Sequence, residues 1–191
     1  ATEGSDVIAL SQVALFLLVS AGLIYVSRAT LRRPASHGFW RFWAWEAIAA
    51  LIALNAPTWF RDPLAWYQLI SWALLILSLV PLTLSLRQLR LARRDAQARS
   101  EAGLLRFEQT TELVTTGVYR VIRHPMYSSL LLLAWGVFWK APSWPGAALV
   151  AVATGCLLAT ARAEEQENLR FFGPAYAATM RQTRRFIPFL F

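Results

Sequence analysis

Hydrophobic positions along this chain come in long uncharged runs. Ile8 to Tyr25 holds 18 residues without a charge, enough for a bilayer-crossing helix of roughly 20 residues once its flanks are added. Arg28, Arg32 and Arg33 follow it, and no small-residue cleavage site does. The run therefore reads as a retained span rather than a signal peptide. A second run, from about Phe39 to Pro57, contains Arg41 and Glu46. Arg41 lies near one end and can snorkel to the headgroups. Glu46 lies deeper, where a carboxylate is a functional hint unless it pairs with Arg41 or another arginine. The third run, Pro63 to Leu86, has 24 residues and no charge. Pro81 is expected to kink it, or to lie where a neighbour satisfies the freed carbonyl. Two shorter runs follow, Met126 to Trp139 with 14 residues and Ala141 to Ala161 with 21, joined by the turn "KAPSWPG". Fourteen helical residues reach about 21 Å, short of the roughly 30 Å hydrocarbon core. The fourth helix thus either begins nearer Arg120 or pairs with the fifth as a tilted hairpin.

The polar segments set the orientation. Residues 87–117 form an arginine-rich connection whose first part has helical composition and extends the third helix; "TTG" at its end reads as a turn. From Arg162 the tail is charged, and it closes on "RRFIPFLF", a segment suited to the membrane surface. Lys and Arg are concentrated between runs one and two, after run three, and in the tail, which puts the N-terminus outside and the C-terminus in the cytoplasm. The expected fold is all-α: a polytopic membrane protein of about five transmembrane helices in one domain, 1–191. Residues 1–86 carry three N-terminal spans, 87–117 the cytoplasmic basic connection, and 118–191 a helical hairpin with the C-terminal tail.

Composition narrows the class. Hydrophobic residues make up 57% of the chain, against about 45–50% in soluble domains. Only 16% are charged, yet the formal net charge is +8. A greasy and basic chain fits a membrane protein with a cationic face better than a nucleic-acid binder, whose basic residues lie on a mostly polar chain. The nine Trp suit interfacial belts, and "GFWRFWAW", residues 38–45, reads as one. A single Cys156 gives no disulfide framework. Two His with no metal-type spacing give no metal site.

Two stretches carry candidate chemistry. In "GVYRVIRHPMY", Gly117 to Tyr127, Pro125 holds His124 in extended conformations and breaks or begins a helix there. A helix N-terminus presents free N–H groups that suit an anionic ligand group. His124 can donate, accept or titrate near neutral pH, and Tyr119 and Tyr127 add ring faces with hydroxyl handles. The plain alternative is an interfacial anchor of Arg and Tyr. In "RAEEQENLRFFGPAY", Arg162 to Tyr176, Glu164, Glu165 and Glu167 fall within one helical turn, with Glu164 and Asn168 on one face. Here the plain alternative is a solvated, ion-paired helix end. Gly173 and Pro174 then close the helix.

Taken together, "GVYRVIRHPMY", a hairpin, "EE", "FFGPAY" and "RRFIPF" resemble the isoprenylcysteine carboxyl methyltransferase and phospholipid methyltransferase superfamily over residues 113–191. That resemblance implies an integral membrane methyltransferase that uses S-adenosylmethionine and releases S-adenosylhomocysteine. Carried over by motif, the cofactor-binding residues are Tyr119, Arg123, His124, Pro125, Tyr127, Glu164, Glu165 and Tyr176. Glu165 and Arg170 are the catalytic candidates. Glu165 would meet the ammonium or sulfonium, and Arg123 or the N–H groups after Pro125 the carboxylate. Arg170 or Arg120 would orient a carboxylate acceptor. Ser128 and Ser129 depart from the family, which often has a glycine two residues after the tyrosine. The implied acceptor is a membrane lipid or lipophilic small molecule bearing a carboxylate or thiol-derived group. The implied setting is the inner membrane of a bacterium, with the cofactor site on the cytoplasmic side. Three readings stand beside this one: a phospholipid amine N-methyltransferase, a sterol-type membrane reductase using NADPH, and a non-enzymatic membrane subunit.

Overall fold

A computed structural model describes residues 2–95 and 113–187, with side chains over 10–91 and 113–187. Residues 96–112 of the basic connection and 188–191 of the tail lie outside the described residues. Six α-helices account for the described fold: α1 Thr2–Ser27, α2 His37–Asn55, α3 Trp66–Asp95, α4 Pro125–Phe138, α5 Trp144–Phe172 and α6 Pro174–Gln182. The expectation of an all-α protein holds, and no strand occurs among the described residues.

Local sequence explains where the helices start and stop. Ser36 is extended and caps α2, its Oγ accepting from the Phe39 N–H at 3.3 Å, which satisfies a donor the helix itself cannot. Ser143 does the same for α5 through the Gly146 N–H at 3.2 Å. Gly173, at φ 56°, ends α5, and Pro174 starts α6, the pairing expected of a glycine stop and a proline start. Gly117 also has a positive φ, of 60°, so the turn into the hairpin favours glycine.

The structure refines three expectations. α3 runs past Leu86 to Asp95, as the helical composition of the basic connection implied, and it passes Pro81 as one helix. α4 does not begin near Arg120: Gly117–Arg120 forms a separate 3-10 turn, and the helix starts at Pro125. Glu46 takes its hydrogen bonds from Ser20 of α1, whose Oγ donates to both carboxylate oxygens at 2.9 Å, while Arg41 stacks on Trp45. Residues 41 and 46 are five apart and do not share a helix face.

α2 packs along α5 and α3 along α4, with α4 and α5 closing the hairpin. One core cluster joins Ala47, Ile48 and Leu51 of α2 to Ala134 and Val137 of α4 and Val150 and Ala153 of α5. Small residues allow close approach between helices, the device membrane bundles use where no hydrophobic drive exists between them. Gly136 is an example: a Cβ there would lie 3.0 Å from Leu75. Ser71 Oγ donates to the Gly136 carbonyl at 2.7 Å, and Asn55 Nδ2 to the Val137 carbonyl at 2.7 Å; such interhelical bonds contribute about 0.6 kcal/mol each. α1 rests on α2. Among the described residues, three helices contain segments long and apolar enough to cross a membrane, Leu10–Ser27, Trp66–Leu91 and Trp144–Phe172, while α4 is a shorter apolar helix. These are three of the five expected spans.

Candidate active site

The site is built where α4 begins. His124 is its N-cap, at φ −123° and ψ 59°, with Pro125 in the first turn. The chain just before it is not a free linker. Arg123 N–H donates to the Arg184 carbonyl at 2.8 Å, His124 N–H to the Arg185 carbonyl at 3.1 Å, and Arg184 N–H to the Val121 carbonyl at 2.9 Å. Ile122 and Arg184 thereby form a parallel β-bridge. Ser128 Oγ adds a 2.7 Å bond to the Phe186 carbonyl, which anchors the tail. Phe186 is buried in a second cluster with Ala44, Tyr127, Leu157 and Ala161. The tail through Phe186 is therefore docked into the protein rather than laid on a surface.

Glu165 lies at the centre of this docking. On α5 the buried stripe runs through Val150, Ala153, Leu157 and Ala161 to Glu165, so the carboxylate continues an apolar face into the interior. Arg123 Nε donates to Glu165 Oε1 at 2.9 Å, and Arg185 Nε to the same oxygen at 3.1 Å, with its Nη2 on Oε2. Arg123 also donates through Nη1 to the carbonyls of Met180, at 3.1 Å, and Thr183. A guanidinium is thus placed on the C-terminal carbonyls of α6, where a cation is favoured. The Glu165 carboxylate raises the pKa of Arg185.

His124 stands between the two adjacent glutamates. Its Nδ1 is 3.6 Å from Glu164 Oε2 and its Nε2 is 3.4 Å from Glu165 Oε1. Its ring stacks on Tyr127, with centroids 5.4 Å apart. The residue is 4% exposed, and among the described residues Nε2 makes no regular hydrogen bond beyond its ion-pair approach to Glu165. Burial alone would lower the His124 pKa, but the two glutamates outweigh it and the value is raised. On α6, burial pushes the Tyr176 hydroxyl up as well, with the charge of Glu164 adding to it.

An open cleft lies beside these groups. It takes in about 960 Å³ when the open solvent at its mouth is counted. Of the residues expected from the sequence, Tyr119, Arg123, His124, Pro125, Tyr127, Glu164 and Tyr176 line it. Tyr119 is steadied by a 2.7 Å bond with Ser85 Oγ of α3. Glu165 is not in the lining, being turned toward the arginines. Arg170 is exposed near the end of α5 and Arg120 is exposed in the 3-10 turn; neither lines the cleft. Sequence reasoning did not find His37, whose backbone N–H donates to Glu167 Oε1 at 3.0 Å and whose Nδ1 meets Oε2. Both residues line the cleft. The partners are 130 positions apart, and no local pattern links them.

Residues 103–174 match the phospholipid methyltransferase family model. That family is part of the isoprenylcysteine and phospholipid methyltransferase superfamily of membrane proteins, the one the motifs resemble. It contains Arg123, His124, Glu164 and Glu165 and stops at Pro174, before the tail; His37 and Arg185 are outside it. The match supports a membrane methyltransferase, and proteins of this family generally use S-adenosylmethionine. Neither curated proteins nor solved structures give a match to the chain.

Proposed function

We propose that the chain is an S-adenosylmethionine-dependent methyltransferase acting on a lipophilic acceptor at the membrane. The reading is carried by His124, buried against Glu164 and Glu165 on a cleft that Glu164 and several aromatic rings complete. When bound, the cofactor supplies an already activated methyl group for in-line displacement. The chain's task is then mainly to position donor and acceptor. The lining fits the donor's chemistry. Glu164 suits its cationic groups, and the first-turn N–H groups of α4 suit its carboxylate. The rings of Tyr119, Tyr127 and Tyr176 offer faces and hydroxyls to its adenosyl part. Glu165, tied to two arginines, acts by holding His124 and the tail in place. The soluble donor approaches from the cytoplasm of a bacterial cell, with the N-terminus outside, and the acceptor from the bilayer.

The charge pattern favours one acceptor over the others. Arg170 and Arg120, the cations that would orient a carboxylate, stand outside the cleft, and Arg123 is already bound to Glu165 and α6. The walls instead hold Glu164 and Glu167. An amine acceptor fits such walls, and Glu164 is at hand as a base for the proton it must lose. A calorimetric titration of purified protein with S-adenosylhomocysteine tests the donor site. Wild-type protein should bind, and Glu164→Ala and His124→Ala should bind at least about tenfold more weakly, a loss fitting one hydrogen bond to a charged group. Unchanged affinity in both variants sinks the assignment. Saturable binding of NADPH in its place would turn the reading toward the reductase. Transfer of labelled methyl to fractionated membrane lipids then identifies the acceptor atom.

A further inference from the structure

We propose that His37 is a positioning residue of this cleft: it anchors the Glu167 carboxylate at the first turn of α2 and so fixes a wall against which the donor's cationic groups are held. This rests on the donor-site reading above and adds to the site a residue from the N-terminal half, outside the family-matched segment.

The anchoring is two-handed. The His37 N–H belongs to the first turn of α2, where no carbonyl of the helix can take it and where the helix dipole favours an anion. It donates to Glu167 Oε1 at 3.0 Å, while the ring of the same residue holds Oε2. His37 is 5% exposed, whereas the Glu167 side chain is about a third exposed and reaches the cleft. The need for an anchor follows from α5. Glu164 and Glu167 are three residues apart and share a helix face, where like charges repel. Without His37 the outer carboxylate would be driven toward solvent. With it, Glu164 and Glu167 stay side by side in one wall.

His37 is itself held by close packing. A Cβ on Gly38 would lie 2.5 Å from Thr30 Cγ2, so the loop after α1 presses directly on the α2 backbone. Thr30 Oγ1 in turn donates to the Ser27 carbonyl at 2.8 Å and caps the end of α1. The end of α1, the start of α2 and the polar end of α5 thus meet at one point. By this means the N-terminal helices shape a site whose motifs lie elsewhere in the chain.

The test uses the full chain in detergent, with S-adenosylhomocysteine as the calorimetric probe. His37→Ala should weaken binding about tenfold, the value of one hydrogen bond to a charged group. His37→Asn, whose amide N–H can stand near the position of Nδ1, should return to within about threefold of wild type. Glu167→Ala should match His37→Ala, and the double variant should lose nothing more, as coupled residues do. A His37→Ala protein with wild-type affinity overturns the proposal, and so does a His37→Asn protein as weak as His37→Ala. Wild-type protein that binds no S-adenosylhomocysteine would sink the donor reading, and the positioning claim is then decided by NMR. The chain has only two histidines, so the ring nitrogen signals of His37 are readily assigned. They should move in Glu167→Ala; signals that stay put overturn the pairing.

Discussion

At its N-terminal end α4 abuts Arg123, Arg185, His124, Glu164 and Glu165, packed charge against charge. At its C-terminal end a single ammonium, that of Lys140, is buried at 1% exposure with no carboxylate in salt-bridge reach among the described residues. Lys140 Nζ lies 3.3 Å from the centre of the Trp72 ring and 5.4 Å from that of Trp59. It donates to Gln68 Oε1 at 2.9 Å, and Gln68 Nε2 returns a 3.0 Å bond to the Lys140 carbonyl. This end is closed on itself, and it binds the turn of the hairpin to α3. The other end is left open, with a buried imidazole nitrogen that makes no regular hydrogen bond among the described residues and a cleft alongside. Buried charge is therefore common to both ends, and what marks a site is the polar capacity left over after the protein's own groups have been satisfied.

Arg123→Ala should break the larger cluster and have the largest effect. It removes one of two guanidinium partners of Glu165 and uncovers the last carbonyls of α6. Disrupting a buried pair on one side costs about 3–5 kcal/mol, and the tail should undock with it. Chemical denaturation in mild detergent measures the loss. A variant as stable as wild type would mean that Glu165 and the tail are held by other contacts, and the contrast between the ends would lose its basis.

How far each end was legible in the sequence depends on the range of the forces that build it. Uncharged runs announce spans because lipid forbids unpaired polar groups, and the break before α4 was legible because Pro125 cannot continue a helix backward. The pairing of Val121–His124 with Arg184–Phe186 was not legible, since two short segments meeting through backbone bonds need carry no pattern. His37 was missed for the same reason, its partner being far along the chain. Glu164 and Glu165 are set apart for a local reason. Successive helical residues are turned by about 100°, so adjacent glutamates cannot face one cleft. Glu165 follows the buried stripe inward, and Glu164 is left at the opening. Arg170, further along α5, is carried out to solvent. The Lys140 turn was recognised as a turn, but the burial of its one cation was not, because lysine in a loop ordinarily faces water.

Lys140→Met should sharpen the comparison from the other side. Methionine keeps an unbranched apolar stem against Trp72 while removing the cation and its bond to Gln68. A desolvated cation–π contact is worth about 2 kcal/mol, so thermal stability should fall by less than in Arg123→Ala. Binding of S-adenosylhomocysteine should be unchanged, because α4 puts about 21 Å of helix between the turn and His124. A loss of binding equal to that in Glu164→Ala would show that the two ends act as one unit.

The smallest effect, on the order of 1 kcal/mol for a single shifted group, should separate the ends by the sign of their pH dependence. The His124 pKa is raised above its ordinary 6.5, because Glu164 and Glu165 outweigh the opposing burial. The folded protein then holds a proton that the unfolded chain releases. This contribution is fully present below about pH 6.5 and is lost as pH rises through the folded value. Lys140 is shifted the other way, its pKa lowered by burial from 10.5. Between its folded value and 10.5 the unfolded chain binds the extra proton, so stability there rises with pH. Unfolding temperatures from about pH 6 to about pH 10, taken on wild type, His124→Asn and Lys140→Met, resolve the two. His124→Asn should lose the decline that sets in above neutrality, and Lys140→Met should lose the gain at the alkaline end. If His124→Asn kept the full decline, the glutamates would not be holding a proton on the imidazole, and the charged end of α4 would have to be rebuilt around a neutral ring.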